Sequence, residues 1–359
     1  MACVVLSNGV VGAEKQALAL ARAVGLPFTC RHASPAMGGL LPTQAQLWLT
    51  TALGTRALGV PVPKPHPRLA ISCGRASVPA SIALREASNG QTLTVHIQRP
   101  PCSTSAFDLV VAPRHDFGGG GDEQPSTPSN VLLTEGSLHG IDVDSLQAAS
   151  AEWAPLLAPL PRPRLALLLG GPTSRRWWQR PLAPPLTASA ARRLVRSAME
   201  AATARGGSLL VSTSRRTPAE VVALLQEELR TAIPRGAAPP HWLWSGGDGP
   251  NPYLGFLAGA DYLVVSADSI NMITEACATR APVYVVGPEQ TSGRFLAFHR
   301  RMLRQGATRP WPADGALEPA SLWLREVAAD TQLAAQRVRR LLRERFGDAA
   351  GVGTTLGAV

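Results

Sequence analysis

The chain of 359 residues is expected to fold as an α/β protein, with two Rossmann-like domains facing across a cleft and each domain a parallel sheet flanked by helices. Three observations predict this. Short apolar runs alternate with longer helix-forming segments, a proline-rich stretch divides the series in two, and residues 261–287 spell out one complete βαβ unit. In that unit Tyr262, Leu263, Val264 and Val265 form an apolar, partly β-branched run. Asp268 or Ser269 then stands where a helix needs a cap, and Ala281-Pro282 closes the helix before the apolar run 283–286. The free N–H groups of such a helix start attract anions, phosphate above all. Glu275 follows about two turns later, where a carboxylate can meet a sugar hydroxyl. The unit proposes a nucleotide-sugar type of site.

In the first half, strands are expected at 2–6, 69–72, 93–97, 109–111 and 130–134, with helices at 14–23, 77–88 and 142–153. Residues 118–129 are rich in Gly, Pro and Ser without apolar periodicity and read as a disordered loop. Three prolines within 157–164 disfavour helix and inner strand, so this stretch is read as an interdomain linker between a domain of residues 1–156 and one of 165–346. The second series places strands at 165–169, 208–212, 241–244, 262–265 and 283–286, and helices at 188–204, 217–229 and 269–279. Residues 322–345 form an Arg-rich amphipathic pattern expected to be a terminal helix packed on the second domain, followed by a flexible tail at 347–359.

Composition narrows the function classes. The hydrophobic fraction of 45% suits buried sheets, and no stretch approaches the roughly 20 apolar residues of a membrane helix. The start of the chain lacks the pattern of a secretory signal or transit peptide, and no lipidation signal is present, so a cytosolic chain is expected. The five cysteines are scattered and never spaced Cys-x-x-Cys, which indicates neither a disulfide frame nor a structural zinc site. The net charge of +10 comes with an excess of Arg, Ala, Gly and Pro and only two lysines, Lys15 and Lys64. Compositional bias explains it better than a nucleic-acid groove, and no nucleic-acid module is recognisable.

The carboxyl ends of strands in doubly wound sheets hold ligands, so the turns that follow strands carry the candidate residues. Gly170, Gly171 and Thr173 in the turn Gly170-Gly171-Pro172-Thr173 would let a phosphate approach the backbone. Ser214, Arg215 and Arg216 follow the next strand, where either arginine can meet an anion, while Thr217, Pro218 and Glu220 read as ordinary helix-start residues. Trp242 and Trp244 alternate on one strand and are expected to face the core together. In the first half, the loops Ser7–Gln16 and Ser72-Cys73-Gly74-Arg75 follow strands without a dinucleotide fingerprint. His115 beside Asp116 is a candidate general base if a substrate hydroxyl comes within reach. The chain has no Gly-x-Ser-x-Gly elbow, no P-loop and no His-Glu-x-x-His.

Taken in order, Arg114-His115-Asp116, Gly170-Gly171-Pro172-Thr173, Ser214-Arg215-Arg216-Thr217-Pro218, Asp248 with Asn251-Pro252, and the run from Ser266 through Glu275 to Ala276 resemble the "elongated mitochondria" mitochondrial-fission family. Gly12 to Gln16, His96 to Pro100, Phe107 to Val110, Ala281 to Val285 and Phe298-His299 extend the resemblance over nearly the whole chain. It implies a fold like that of GT-B glycosyltransferases. It also implies a peripheral adaptor on the cytosolic face of the mitochondrial outer membrane that helps recruit a dynamin-related GTPase. By the same fold analogy, Ser269 and its helix start would meet a donor phosphate and Glu275 a ribose hydroxyl, which keeps a UDP- or GDP-sugar as a candidate ligand and a glycosyltransferase as the alternative function. The expanded loop after Asp116 and the bulky segment 175–185 depart from the family pattern.

Overall fold

The computed structural model describes residues 2–7, 9–33, 64–118, 126–172, 182–184, 186–232, 238–247, 249–312, 314–319, 321, 323 and 329–347. The chain divides into two compact units. Each is built on a parallel six-stranded sheet with helices on both faces, the fold class that the alternation of segments implies.

In unit 1 the strands are β1 (Cys3–Ser7), β2 (Phe28–His32), β3 (Leu69–Cys73), β4 (Leu93–Ile97), β5 (Leu109–Pro113) and β6 (Val131–Thr134), in the spatial order β2-β1-β3-β4-β5-β6. Successive strand residues face opposite ways, so the two sheet faces receive different partners. Cys3, Val5, Ile71 and Val95 pack with helix α1 (Val11–Val24). Val4, Leu6 and Ala70 pack instead with Ala80 and Leu84 of α2 (Val78–Ala87). Strand β2 escaped the sequence reading because its Thr29, Cys30, Arg31 and His32 are exposed at the sheet edge and show no apolar alternation.

Unit 2 begins with α3 (Val143–Leu157) and continues through β7 (Arg164–Leu169), α4 (Ala188–Thr203), β8 (Ser208–Thr213), α5 (Ala219–Ala232), β9 (His241–Trp244) and α6 (Tyr253–Gly259). It ends with β10 (Tyr262–Ser266), α7 (Ile270–Cys277), β11 (Val283–Val286), α8 (Gly293–Arg304) and the two-residue edge strand β12 (Arg309–Pro310). The strand order is β12-β11-β10-β7-β8-β9. Leu165, Leu167 and Leu169 face α4 and α5, while Ala166 and Leu168 face the side of α3, α6 and α8. All five are at most 1% exposed, and each buried leucine contributes about 1.5–3 kcal/mol relative to exposure. Trp242 and Trp244 do lie on one face, packed against the same cluster as Phe256, and the Trp242 ring meets that of Trp153 at 5.7 Å between centroids.

Two boundaries differ from the sequence reading. Residues 157–164 are not a linker between units but part of unit 2, which runs from Ile141 to Ala328. The reason is packing at both ends of the proline-rich stretch. Before it, the Trp153 indole lies so close to Gly255 that a Cβ there would collide with it, which brings α3 down onto α6. After it, the Arg164 guanidinium donates to the Leu157 and Leu160 carbonyls at 2.8 and 3.1 Å, and the Arg164 N–H donates to Asp261 at 2.7 Å.

The terminal helix α9 (Asp330–Phe346) also belongs elsewhere: it packs on unit 1, and it starts at Asp330. Its Ala334, Ala335, Val338 and Leu342 join the core formed by α1 and the strands of the first sheet. Polar contacts fix the same docking. The Asp330 carboxylate accepts the Glu135 and Gly136 N–H groups, both at 3.0 Å, and the Arg339 guanidinium donates to carbonyls that end α1. An Arg-rich amphipathic pattern states that a face is buried, but not against which sheet.

Most of the expected loop 118–129, residues 322 and 324–328 of the expected long helix, and nearly all of the tail 347–359 lie outside the described residues. Among the described residues no helix is long and apolar enough to cross a membrane. Leu342 is fully buried in unit 1, so Leu342→Ala is expected to cost about 2–5 kcal/mol. Hydrogen exchange should speed up in β1, β3 and β4 and stay unchanged in β7, β8 and β10; equal loss in both sheets would contradict the docking of α9 on unit 1.

Candidate functional site

In unit 2 the strand order reverses between β7 and β10, so the loops leaving these neighbouring strands run to opposite faces and open a crevice at their carboxyl ends. Gly170 and Gly171 follow β7, Ser214 to Thr217 follow β8, and Asp268 and Ser269 follow β10. Hydrogen bonds draw the three loops together. The Gly170 N–H donates to Ser266 Oγ at 2.7 Å, and the Asp268 carboxylate accepts from the Ser266 hydroxyl and the Gly171 N–H. The Thr217 hydroxyl donates to the Gly170 carbonyl at 2.5 Å and accepts the Ser214 N–H at 2.9 Å. The Arg216 N–H donates to Ser214 Oγ at 3.2 Å.

This arrangement changes what the glycines do. A Cβ on Gly170 would stand 2.6 Å from Asp268 Oδ1, and one on Gly171 would collide with the Arg216 carbonyl. Both residues are glycine because other parts of the chain occupy the space of a side chain. The Gly171 amide, which the sequence offers to a phosphate, already serves Asp268.

Asp268 is 8% exposed. Burial raises its carboxyl above the ordinary value, against the lowering by the Ser266 hydroxyl, the Arg216 charge and two backbone N–H groups. Neither Asp268 nor Ser269 caps α7 with its side chain; Ser269 is buried and serves through its carbonyl, which accepts the Ile273 N–H at 3.1 Å. Arg215 and Arg216, in the loop after β8, are exposed, and the Arg216 charge acts on Asp268. Thr173 lies outside the described residues, as do Asp248 and most of 175–185.

Glu275 does receive a hydroxyl, but from the chain itself: Tyr253 Oη donates to it at 2.6 Å. Burial and the Glu275 charge hold the Tyr253 phenol well above its usual value, so it stays a donor. The Tyr253 N–H in turn donates to Asn251 Oδ1 at 2.9 Å, which ties the loop after β9 to α7. Sequence reasoning missed Tyr253, although its place directly after Asn251-Pro252 marks a helix start. It named His299 only within the resemblance and gave it no role; this residue is buried on α8, and its Nε2–H donates to the Ala267 carbonyl at 2.9 Å and so fixes the loop that carries Asp268. Burial lowers His299 to about 4, so its ring is neutral there. The spacing of Phe295, Phe298, His299 and Met302 on one helical face was the available signal.

His115 and Asp116 belong to unit 1, after β5. Both side chains are buried, and His115 Nε2 stands 4.0 Å from Asp116 Oδ1, beyond hydrogen-bond length. The Asp116 carbonyl accepts from Arg99 at 3.0 Å. Burial, and then the Asp116 charge, push the Cys73 thiol far up, so it is inert as a nucleophile. Among the described residues no group of three or more His, Cys, Asp and Glu side chains is placed to hold a metal ion.

Two doubly wound α/β units, one of them carrying a crevice of polar loops at its strand reversal, define the class: a two-unit Rossmann-like protein. The family model described as mitochondrial fission ELM1 matches residues 11–342, and the chain belongs to that family. It is 33% identical over 297 residues to the mitochondrial fission protein ELM1 of Arabidopsis thaliana, an alignment covering 79% of this chain and 65% of that relative. Among solved structures it is similar to a glycosyltransferase from Rickettsia africae, with 9% identity, TM-score 0.49 and coverage of 97% and 95% of the two chains. It is also similar to a UDP-GlcNAc 2-epimerase from Neisseria meningitidis bound to UDP-GlcNAc, with 13% identity, TM-score 0.48 and coverage of 98% and 94%.

Two outcomes test the crevice. Gly171→Ala should destabilise the fold by about 1–3 kcal/mol, read from denaturant unfolding, because the Arg216 backbone has to move. The raised carboxyl of Asp268 means that the folded chain holds this proton more tightly than the unfolded chain. Its contribution to stability is full below the unfolded value and is lost as pH rises through the folded value. Asp268→Asn should therefore gain on the wild type as pH is raised from below the ordinary carboxyl range to neutrality; a difference that does not vary with pH would contradict the burial of the charge.

Proposed function

We propose that the protein is a mitochondrial fission factor, a peripheral adaptor on the cytosolic face of the outer membrane that helps recruit a dynamin-related GTPase. Membership of the mitochondrial fission family over residues 11–342 carries this reading. The crevice of unit 2 favours binding over chemistry. The Gly171 amide, the Thr217 hydroxyl and the Glu275 carboxylate are engaged within the chain, and the one histidine-carboxylate pair of the sequence reading forms no hydrogen-bonded relay.

A second reading is a nucleotide-sugar-binding protein or glycosyltransferase that uses the same crevice. What favours it is the position of Arg215, Arg216, Asp268 and Ser269 at the carboxyl ends of strands beside a strand reversal, where doubly wound sheets take ligands. Arg215 and Arg216 would meet the phosphates and the Glu275–Tyr253 pair the ribose, with the phenol yielding its hydrogen bond to the sugar.

The two readings separate in two measurements. On the adaptor reading, cells without the protein carry elongated mitochondria, the tagged protein co-precipitates with the dynamin-related GTPase, and Glu275→Ala restores division. A diffuse cytosolic protein with no GTPase partner would defeat it. Calorimetry with UDP- and GDP-sugars tests the other: binding weakened about tenfold or more by Glu275→Ala would support a ligand site, from the usual strength of a charge-assisted hydrogen bond. No heat with any nucleotide sugar would remove it.

A further inference from the structure

Helix α8 differs from the other described helices in its charge. It carries Arg294, Arg300, Arg301 and Arg304 and no carboxylate. Each of the other described α-helices that contains a basic residue contains an acidic one as well. An arginine-rich composition alone would not single out one helix.

The charges are also sorted by face. At about 100° per residue, Phe295, Phe298, His299 and Met302 cover one arc and are buried in unit 2. Arg294, Arg300 and Arg304 are exposed on the other arc with Arg301 half-buried, and Leu303 beside them is 48% exposed. This face is about 15 Å long at the helical rise. Cations in the last turn complement the helix dipole, which accounts for Arg301 and Arg304. The dipole disfavours Arg294 in the first turn and gives no reason for Arg300.

Just beyond the C-terminus of α8 the face continues into a shallow cavity of about 450 Å³, lined by Leu303, Arg304, Gly306, Thr308, Arg309 and Glu318 among others. Glu318 is ion-paired with Arg309, and the Arg309 guanidinium stacks 4.6 Å from the Trp323 ring centroid.

We propose that the outer face of α8, with this cavity at its end, is a contact surface for an anionic phospholipid bilayer. Headgroup phosphates lie along Arg294, Arg300, Arg301 and Arg304, one of them reaching the cavity mouth at Arg304, and Leu303 meets the acyl boundary. Charge complementarity argues for an anionic partner, and an exposed leucine at the edge of the arginine face, next to Arg300 and Arg304, fits a lipid surface better than a nucleic-acid backbone. The buried face of α8 stays in the core, so the contact needs no unfolding.

The test is sedimentation of the full chain with vesicles of phosphatidylcholine alone and with about one third phosphatidylglycerol. Binding is expected to the anionic vesicles only, and to fall as salt is raised. Arg300→Glu with Arg304→Glu should lower partitioning by more than about twentyfold, at roughly fivefold for each arginine. Arg340→Glu with Arg343→Glu, exposed on α9, changes the net charge equally and should leave it within about twofold. Thermal melting of both variants verifies folding. Equal binding to neutral vesicles, equal loss in both variants, undiminished binding of the folded α8 variant, or tighter binding to duplex DNA than to anionic vesicles would each overturn the proposal.

Discussion

The loops that leave β7 and β10 can be joined because Gly170 and Gly171 have no side chains. The Asp268 carboxylate and the Arg216 backbone fill the space where two Cβ atoms would stand. From that close approach follow the hydrogen bonds of Ser266 and Thr217, the burial of Asp268 and the fixed start of α7. His299 supports it from below by holding the Ala267 carbonyl, and Tyr253 holds the far end of α7 through Glu275. The crevice is thus a preassembled polar structure at the place where this sheet order opens.

Apolar runs announce strands, and ten of the twelve are legible in this way: the eight inner strands, largely buried on both faces, and the half-buried edge strands β6 and β9. The two that were not, β2 and β12, are edge strands, one exposed and polar, the other two residues long and ending in proline. Helices α6 and α8 were hidden for different reasons. The first has seven residues with no charged side chain to mark an outer face, and the second interrupts its apolar spacing with arginines. Domain membership was less legible still, since the pattern of α9 fits either sheet equally well. What selects unit 1 is the packing of Ala334, Ala335, Val338 and Leu342 in the core beside α1, together with the contacts of Asp330 and Arg339.

The candidate residues divide the same way. The turns stand after β7, β8 and β10 as the sequence places them, because a turn after a parallel strand is a local feature that needs no knowledge of distant contacts. What each residue does there depends on neighbours far along the chain. Asp268 meets a glycine 97 positions away, counting from residue 171, and Glu275 meets a tyrosine 22 positions away. A capping aspartate and a carboxylate awaiting ribose are reasonable local readings. Long-range packing assigns both groups to the chain's own donors, which leaves Arg215 and Arg216 as the exposed charges of the crevice.

Because α9 belongs to unit 1 while everything from Ile141 to Ala328 belongs to unit 2, the first unit is written in two pieces with the second inserted between them. On the ribosome, unit 2 has its whole sequence before Asp330 emerges. Unit 1 must keep the face of α1 and the first sheet uncovered until then, so the apolar surface closed last is the one whose residues were made first.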